Sequence, residues 1–414
     1  MKNLIKNQTF LTLTSADIFE TIGTSLFNII LLTYAKNFAH ANLMVSIVSV
    51  ATVMPGVLGV FIGQIGDRTH NKRIWLAGTK FIQGILYLTL AQLINRHQVT
   101  LLMIIILINI ISDLLGMYSG SLRMPIIQAK IAEAQQEEAV GINSGISTVM
   151  QMLGQAFGVS LLAITHDYQL AGYVNAATFF IAGVILIAGY QSLEVHQTHQ
   201  KAPAFKKMLV EMKKTLEASA STNAWALLSS ILFLNAVGSS QDAIINLYLV
   251  DQGDKLPLPF GVSVLIINSV VVIGSILGSI LHSGIFKQWS FKSVMTVCVI
   301  SMELFYLNLL GLQSFWGIIV TMGIGGFCMG QANPKLTAAL LKVANPDIIG
   351  SLTGLMNTVC IISMPIGTIG IVLLYNVVNP AVSYLISMVL LFISIACLYL
   401  PNKKRQVATT HPVS

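Results

Sequence analysis

The chain has 414 residues, 55% of them hydrophobic and only 9% charged, with a mean hydropathy of +0.77. Soluble domains carry roughly 25% charged residues, so a soluble globular protein is excluded. The net charge of +7 would suit nucleic acid only if it formed a polar basic face. The basic residues instead lie between apolar segments, so membrane lipid is the expected partner and nucleic acid is not.

In chain order, breaks at charged or Pro/Gly/Asn-rich loops leave twelve segments of about 20 or more mostly apolar residues, the length that spans a bilayer. They run about 10 to 35, 43 to 64, 74 to 94, 100 to 122, 140 to 164, 170 to 190, 223 to 250, 261 to 284, 292 to 311, 314 to 334, 350 to 375 and 381 to 400. Backbone polar groups in lipid must pair within each segment, and the runs are too long for barrel strands. The expected fold class is therefore an all-α membrane protein.

The first segment follows Lys2 and Lys6, as a signal peptide would, but Asp17 and Glu20 interrupt it and no cleavage site follows, so it is expected to stay as a span. Asp17, Glu20, Thr24 and Asn28 are spaced by three, four and four residues, which sets them on one helix face. The third segment holds Lys80, expected to snorkel to the interface. The fourth carries Asn109 and Asp113, and the seventh Asn235, Ser239, Asp242 and Asn246, so three helices each offer a polar stripe. Glu303, in the ninth, has no stripe around it and reads as a packing residue.

Counting Lys and Arg gives 19 in the segments that face one side and 3 in those that face the other. The positive-inside rule then places both termini in the cytoplasm, and the expected location is a cell membrane of bacterial type. The longest polar stretch, 191–222, separates six helices from six as a cytoplasmic linker. Within it Phe205, Met208, Leu209, Met212 and Leu216 recur at helical spacing among lysines, which predicts a helix lying on the membrane surface. The expected domains are thus 1–190, the linker, and 223–414.

The two halves repeat. At an offset of 209, Pro125, Ala129, Gly141, Gly145 and Gly158 align with Pro334, Ala338, Gly350, Gly354 and Gly367. At 215, Gly23, Gly59, Gly63 and Lys72 align with Gly238, Gly274, Gly278 and Lys287. The matches fall at the same place in each helix or loop, which predicts two pseudo-symmetric six-helix bundles. The pairs Gly59/Gly63, Gly141/Gly145, Gly154/Gly158, Gly274/Gly278, Gly326/Gly330 and Gly350/Gly354 have the small-xxx-small spacing of close helix contacts, and their recurrence in both halves suits sliding surfaces between moving bundles.

A carboxylate near the bilayer centre costs several kcal/mol on insertion scales, so such groups face a cavity or a partner. Desolvation favours the neutral acid, which can take up and release a proton as a cavity opens to either side. Glu20 and Asp113 lead as proton-coupling groups, followed by Asp17 and Asp242. Thr24, Asn28, Asn109, Asn235, Ser239 and Asn246 are the expected substrate-cavity residues, and Phe27, Tyr34, Tyr118, Phe305 and Phe327 offer aromatic surface.

Other chemistry has no sequence trace. There is no GxxxxGK[ST] phosphate loop, the eight histidines fall in loops, tails or helix ends, and the four cysteines lack ligand spacing. Neither enzymatic activity nor a metal or other cofactor is expected.

The loop after the second segment reads Gly63-Gln-Ile-Gly-Asp67-Arg68-Thr-His-Asn-Lys72-Arg73, which resembles the G-x-L-A-D-R-x-G-R-K signature of the major facilitator superfamily. The resemblance implies two bundles rocking about a central site lined by the first, fourth, seventh and tenth helices. It further implies that Gly63, Asp67, Arg68, Lys72 and Arg73 form a conformational gate whose charge contacts lock the outward-facing state. Here His70 and Asn71 replace the usual Gly and Arg, and the matching loop from Gly278 to Lys287 lacks the acid. The stretch from Arg123-Met-Pro125 through Glu138 and Asn143-Ser144 looks like the macrolide-efflux and enterobactin-exporter group. Drug antiporters of the superfamily often carry Gly-Pro in the fifth helix, where this chain has Gly154-Gln155.

The expected function is secondary active transport by alternating access: proton-coupled efflux of amphipathic small molecules, with protons as the coupling partner. The rival is a proton-coupled uptake symporter for a small nutrient, and the alternative from another class is a non-transporting receptor or scaffold. One chain holds both halves, so a monomer is the expected working unit.

Overall fold

The computed structural model describes residues 4, 6–94, 98–195, 224–281, 286, 288–341 and 349–400. The expected surface helix of the linker lies outside these residues, as do the side chains of Asp67 and Glu138 and the surroundings of Gly350 and Gly354. Among the described residues there are twelve α-helices and no strand. They are α1 (Gln8–Lys36), α2 (Ala41–Arg68), α3 (Lys72–Leu93), α4 (Val99–Lys130), α5 (Glu133–Thr165), α6 (Tyr168–Ala188), α7 (Ala224–Gln252), α8 (Phe260–Leu281), α9 (Phe291–Leu307), α10 (Phe315–Leu341), α11 (Ile349–Val377) and α12 (Pro380–Tyr399). A five-residue π-helical turn, Asn308–Leu312, ends α9 at Gln313, whose φ is 50°.

The helix starts follow from local chemistry. Asn7, Asp167, Ser290 and Asn379 each accept a backbone N–H of the first turn with their side chains, satisfying donors that the helix itself leaves open. Helix α4 runs to Lys130, beyond the expected end at 122, and α5 begins at Glu133 rather than 140. Hydropathy reports where a helix leaves apolar surroundings, whereas the backbone ladder continues as long as its hydrogen bonds can be made. Pro125 sits inside α4.

The chain divides into two compact units, Met1–His199 with Leu249–Leu265, and Gln200–Tyr248 with Ile266–Ser414. The connection between α7 and α8 thus belongs to the first unit. Asn42 donates to Asp251 Oδ1 at 2.5 Å, Lys36 Nζ lies 5.1 Å from the Phe260 ring centroid, and a Cβ on Gly261 would meet Thr33 Oγ1 at 3.5 Å.

Within the first unit α1 packs on α5, α2 on α4, and α3 on both α4 and α6. In the second, α9 packs on α10 and α12, α7 meets α11 through Gly367, and α8 meets α10 through glycines. Each second-unit pair is a first-unit pair moved six helices along the chain, so the repeat read from Gly and Pro spacing is a repeat of architecture.

Glycines make these contacts close. A Cβ on Gly154 would lie 2.6 Å from Ile22 O, and one on Gly158 2.8 Å from Leu26 O. One on Gly278 would lie 2.1 Å from Phe327 O, one on Gly330 2.0 Å from Ser275 O, and one on Gly367 2.3 Å from Ala236 O. No side chain fits where backbone meets backbone at such range. A Cβ on Gly63, Gly141 or Gly145, by contrast, would meet nothing within 4 Å among the described residues, so their spacing marks no close contact there in this conformation.

Candidate functional site

The polar stripe on α1 is met by cations from two other helices. Arg123 of α4 bridges it, with Nη1 donating to Asp17 Oδ1 and Nη2 to Glu20 Oε2. Lys80 of α3 donates to Glu20 Oε1 and to Gln83 Oε1 at 3.0 Å. From α5, Asn143 donates to Asp17 Oδ2 at 3.0 Å and Ser147 to the same oxygen at 2.5 Å. Every carboxylate oxygen of Asp17 and Glu20 is therefore satisfied, and two acids are balanced by two bases. Gly116 borders the quartet: a Cβ there would be in ordinary contact, 3.5 Å from Glu20 Oε1.

This corrects the expectation that Lys80 snorkels. Its side chain is 0% exposed, against 13% for Glu20 and 12% for Arg123. A buried ammonium persists only when an anion and further acceptors surround it, and Glu20 with Gln83 supplies both. Arg123, which hydropathy sets at the membrane edge, is likewise drawn inward, because α4 continues past it. A signal for the third helix was present in the sequence: Lys80, Gln83 and Tyr87 follow steps of three and four, the same spacing as the stripe on α1.

Beyond Lys80 the chain of contacts continues through Gln83, whose Nε2 donates to Ser112 O at 2.9 Å. The next residue, Asp113, stands differently. It accepts from Asn109 Nδ2 at 3.0 Å, Asn109 Oδ1 accepts from the Tyr87 hydroxyl at 2.9 Å, and no cation among the described residues pairs with it. Five charged groups thus meet in the first unit: a neutralised quartet on α1, α3 and α4, and beside it a carboxylate held, among the described residues, by an amide.

The remaining expected residues divide. Thr24 is half-buried, and Asn28 Oδ1 is buried without a hydrogen-bond partner among the described residues. On α7, Ser239 donates to Met364 O at 2.9 Å and lies 3.1 Å from Thr368 Oγ1, so it joins α7 to α11. Asn246 is buried with Oδ1 unpartnered, Asn235 is half-buried, and Asp242 is exposed. Glu303 is half-buried on α9. Phe27, Tyr34 and Phe305 are each 0% exposed, so these three rings are core packing rather than the accessible aromatic surface expected of them. Among the described residues no group of three or more His, Cys, Asp or Glu could hold a metal.

In the loop after α2, Lys72 is buried and donates to Gly66 O at 2.7 Å, placing a cation at the carbonyl end of the helix, where the dipole favours it. Arg73 pairs with Glu194 at 3.1 Å and lies 4.3 Å over the Tyr190 ring. Arg68 is exposed. Two of the expected gate residues therefore hold the loop against the first unit itself.

The family model of the major facilitator superfamily matches residues 13–290. The chain belongs to the major facilitator superfamily. It is an all-α membrane protein with the twelve-helix, two-bundle transporter fold of that family. Solved structures agree in fold. A bacterial homologue of the human lysosomal transporter Spinster, inward-facing and unoccupied, superposes with a TM-score of 0.65 at 14% identity, covering 94% of this chain and 95% of that one. The peptide transporter POT in complex with sulfate gives 0.66 at 13% identity, covering 94% of each chain. Likeness at this identity concerns architecture alone. No curated protein matches the sequence.

Proposed function

We propose that this superfamily member is a proton-coupled secondary transporter of the cell membrane, with both termini in the cytoplasm, that exports amphipathic small molecules by alternating access. The observation that carries the reading is the contrast between Asp113 and its neighbours. Asp17 and Glu20 are each held by a cation, so adding a proton to either would strand positive charge on Arg123 or Lys80. Among the described residues Asp113 has no such counter-charge, and protonation would only neutralise it.

Asp113 therefore takes the leading role in proton coupling, with Asp242 second. Glu20 and Asp17 become the frame that fixes α1, α3, α4 and α5 around it. Asn28 and Asn246 each carry a carbonyl oxygen without a partner among the described residues, which suits them to accept from donors on a substrate. Thr24 and Asn235 are further lining residues, whereas Asn109 and Ser239 are already engaged within the protein. Lys72 and Arg73 tie the loop to the first unit in this conformation, which is consistent with a gate whose contacts exchange when the protein changes state.

Transport by purified protein in liposomes with an imposed pH gradient tests the reading, using lipophilic cations, macrolides and sugars as substrates. Proton-driven accumulation in inside-out vesicles, lost in Asp113→Asn, is the expected result. Accumulation in right-side-out vesicles would make the protein an uptake symporter. Undiminished coupling in Asp113→Asn would remove Asp113 from the mechanism.

A further inference from the structure

Asn109 can turn either end of its amide toward Asp113, and the two ends suit opposite protonation states. The Nδ2 group donates and fits a carboxylate, while Oδ1 accepts and fits the hydroxyl of a carboxylic acid. In the structure Nδ2 faces Asp113 Oδ2 at 3.0 Å, and Oδ1 receives the Tyr87 hydroxyl at 2.9 Å.

Tyr87 is held independently of this contact. It is 0% exposed, its ring stacks on Phe179 with centroids 5.3 Å apart and an interplanar angle of 6°, and Phe27 meets it edge-on at 5.0 Å. Its hydroxyl donates to Asn109 Oδ1, so turning the amide would replace that acceptor by a donor and make the hydroxyl redirect its proton toward Ser112 or Asn175, the other side chains it meets. Giving up a formed hydrogen bond in a buried place is costly.

We infer that Tyr87 is a positioning residue: by engaging Asn109 Oδ1 it keeps the amide's donor end on Asp113 and so sets how readily Asp113 takes up a proton. The inference rests on the reading of Asp113 as the proton-carrying group. The other charges around Asp113 are accounted for. Helix α1 contributes Asp17 and Glu20, which are paired with Arg123 of α4 and Lys80 of α3. Helices α2 and α5 carry acidic and basic residues only at one end, Asp67 and Arg68 on α2 and Glu133, Glu137 and Glu138 on α5.

The test is the titration of Asp113 itself, followed in reconstituted protein by the infrared carbonyl stretch of the protonated acid, assigned by its loss in Asp113→Asn. In Tyr87→Phe the amide is free to offer Oδ1, the protonated acid gains a partner, and the midpoint moves up by about one pH unit, a tenfold change in proton affinity. Asn109→Ala, which removes the donor outright, moves it at least as far and decides the matter if Tyr87→Phe fails to fold. Phe27→Leu disturbs the ring but keeps the hydroxyl, and leaves the midpoint in place. An unmoved midpoint in Tyr87→Phe or Asn109→Ala would overturn the inference, as would an equal shift in Phe27→Leu. Persistence of gradient-driven transport in Asp113→Asn would instead defeat the coupling role, with the infrared result unaffected.

Discussion

Replacing Lys80 by Met separates a buried ion pair from a snorkelling lysine. Met matches the length of the aliphatic stem, so the change removes a charge and two hydrogen bonds, to Glu20 and to Gln83, while leaving the packing close to intact. Breaking one partner out of a buried pair costs about 3–5 kcal/mol, because the other charge stays behind uncompensated. Glu20 keeps Arg123 on its second oxygen, which puts the loss for Lys80→Met at the lower end, about 3 kcal/mol. Glu20→Gln should lose a similar amount, since it leaves the fully buried ammonium with Gln83. In the double variant neither charge is stranded, so its loss should fall short of the sum of the singles by at least about 1.5 kcal/mol. Equilibrium unfolding of the purified protein in mixed micelles measures all three. Single variants within about 0.5 kcal/mol of wild type, or strictly additive losses, would refute the buried quartet and restore a lysine that reaches water.

Three further outcomes follow from the geometry. Gly154→Ala should destabilise the first unit by about 1–3 kcal/mol through the forced separation of α1 and α5, whereas Gly145→Ala, with open space around it, should be neutral or slightly stabilising through helix propensity; melting temperatures in detergent compare them, and equal effects would contradict the packing. Arg73→Ala removes a partly exposed pair with Glu194 and should cost no more than about 1 kcal/mol, while Lys72→Met, which withdraws a buried donor from Gly66 O, should cost more; the same melts give the order. Ser147→Ala should weaken the hold of α5 on Asp17 by about 1–2 kcal/mol, as expected for a hydrogen bond to a charged group, and unchanged stability would mean that Asn143 alone suffices there.

The helices were legible because each residue's transfer free energy between water and lipid is a local property that sums along a window. That is why every span is found close to its expected place, and why the ends of α4 and α10 and the start of α5 are not: hydrogen bonding, unlike hydropathy, does not stop at the membrane edge. The stripe of Asp17, Glu20, Thr24 and Asn28 was legible for the same reason, since a 3.6-residue period requires no knowledge of neighbours. The matching steps of Lys80, Gln83 and Tyr87 carry the same information, and only the habit of treating a membrane lysine as interfacial hides it.

Composition, periodicity and the spacing of Gly and Pro determined that this is a twelve-helix membrane protein with a repeated half. They also picked out the acids that demand an explanation. Which acid has a cation beside it was decided by the tertiary structure alone. The charge state a buried carboxylate can bear depends on what lies within a few ångströms of it, and in a helical bundle those neighbours come from other helices, here 60 or more residues away in the chain.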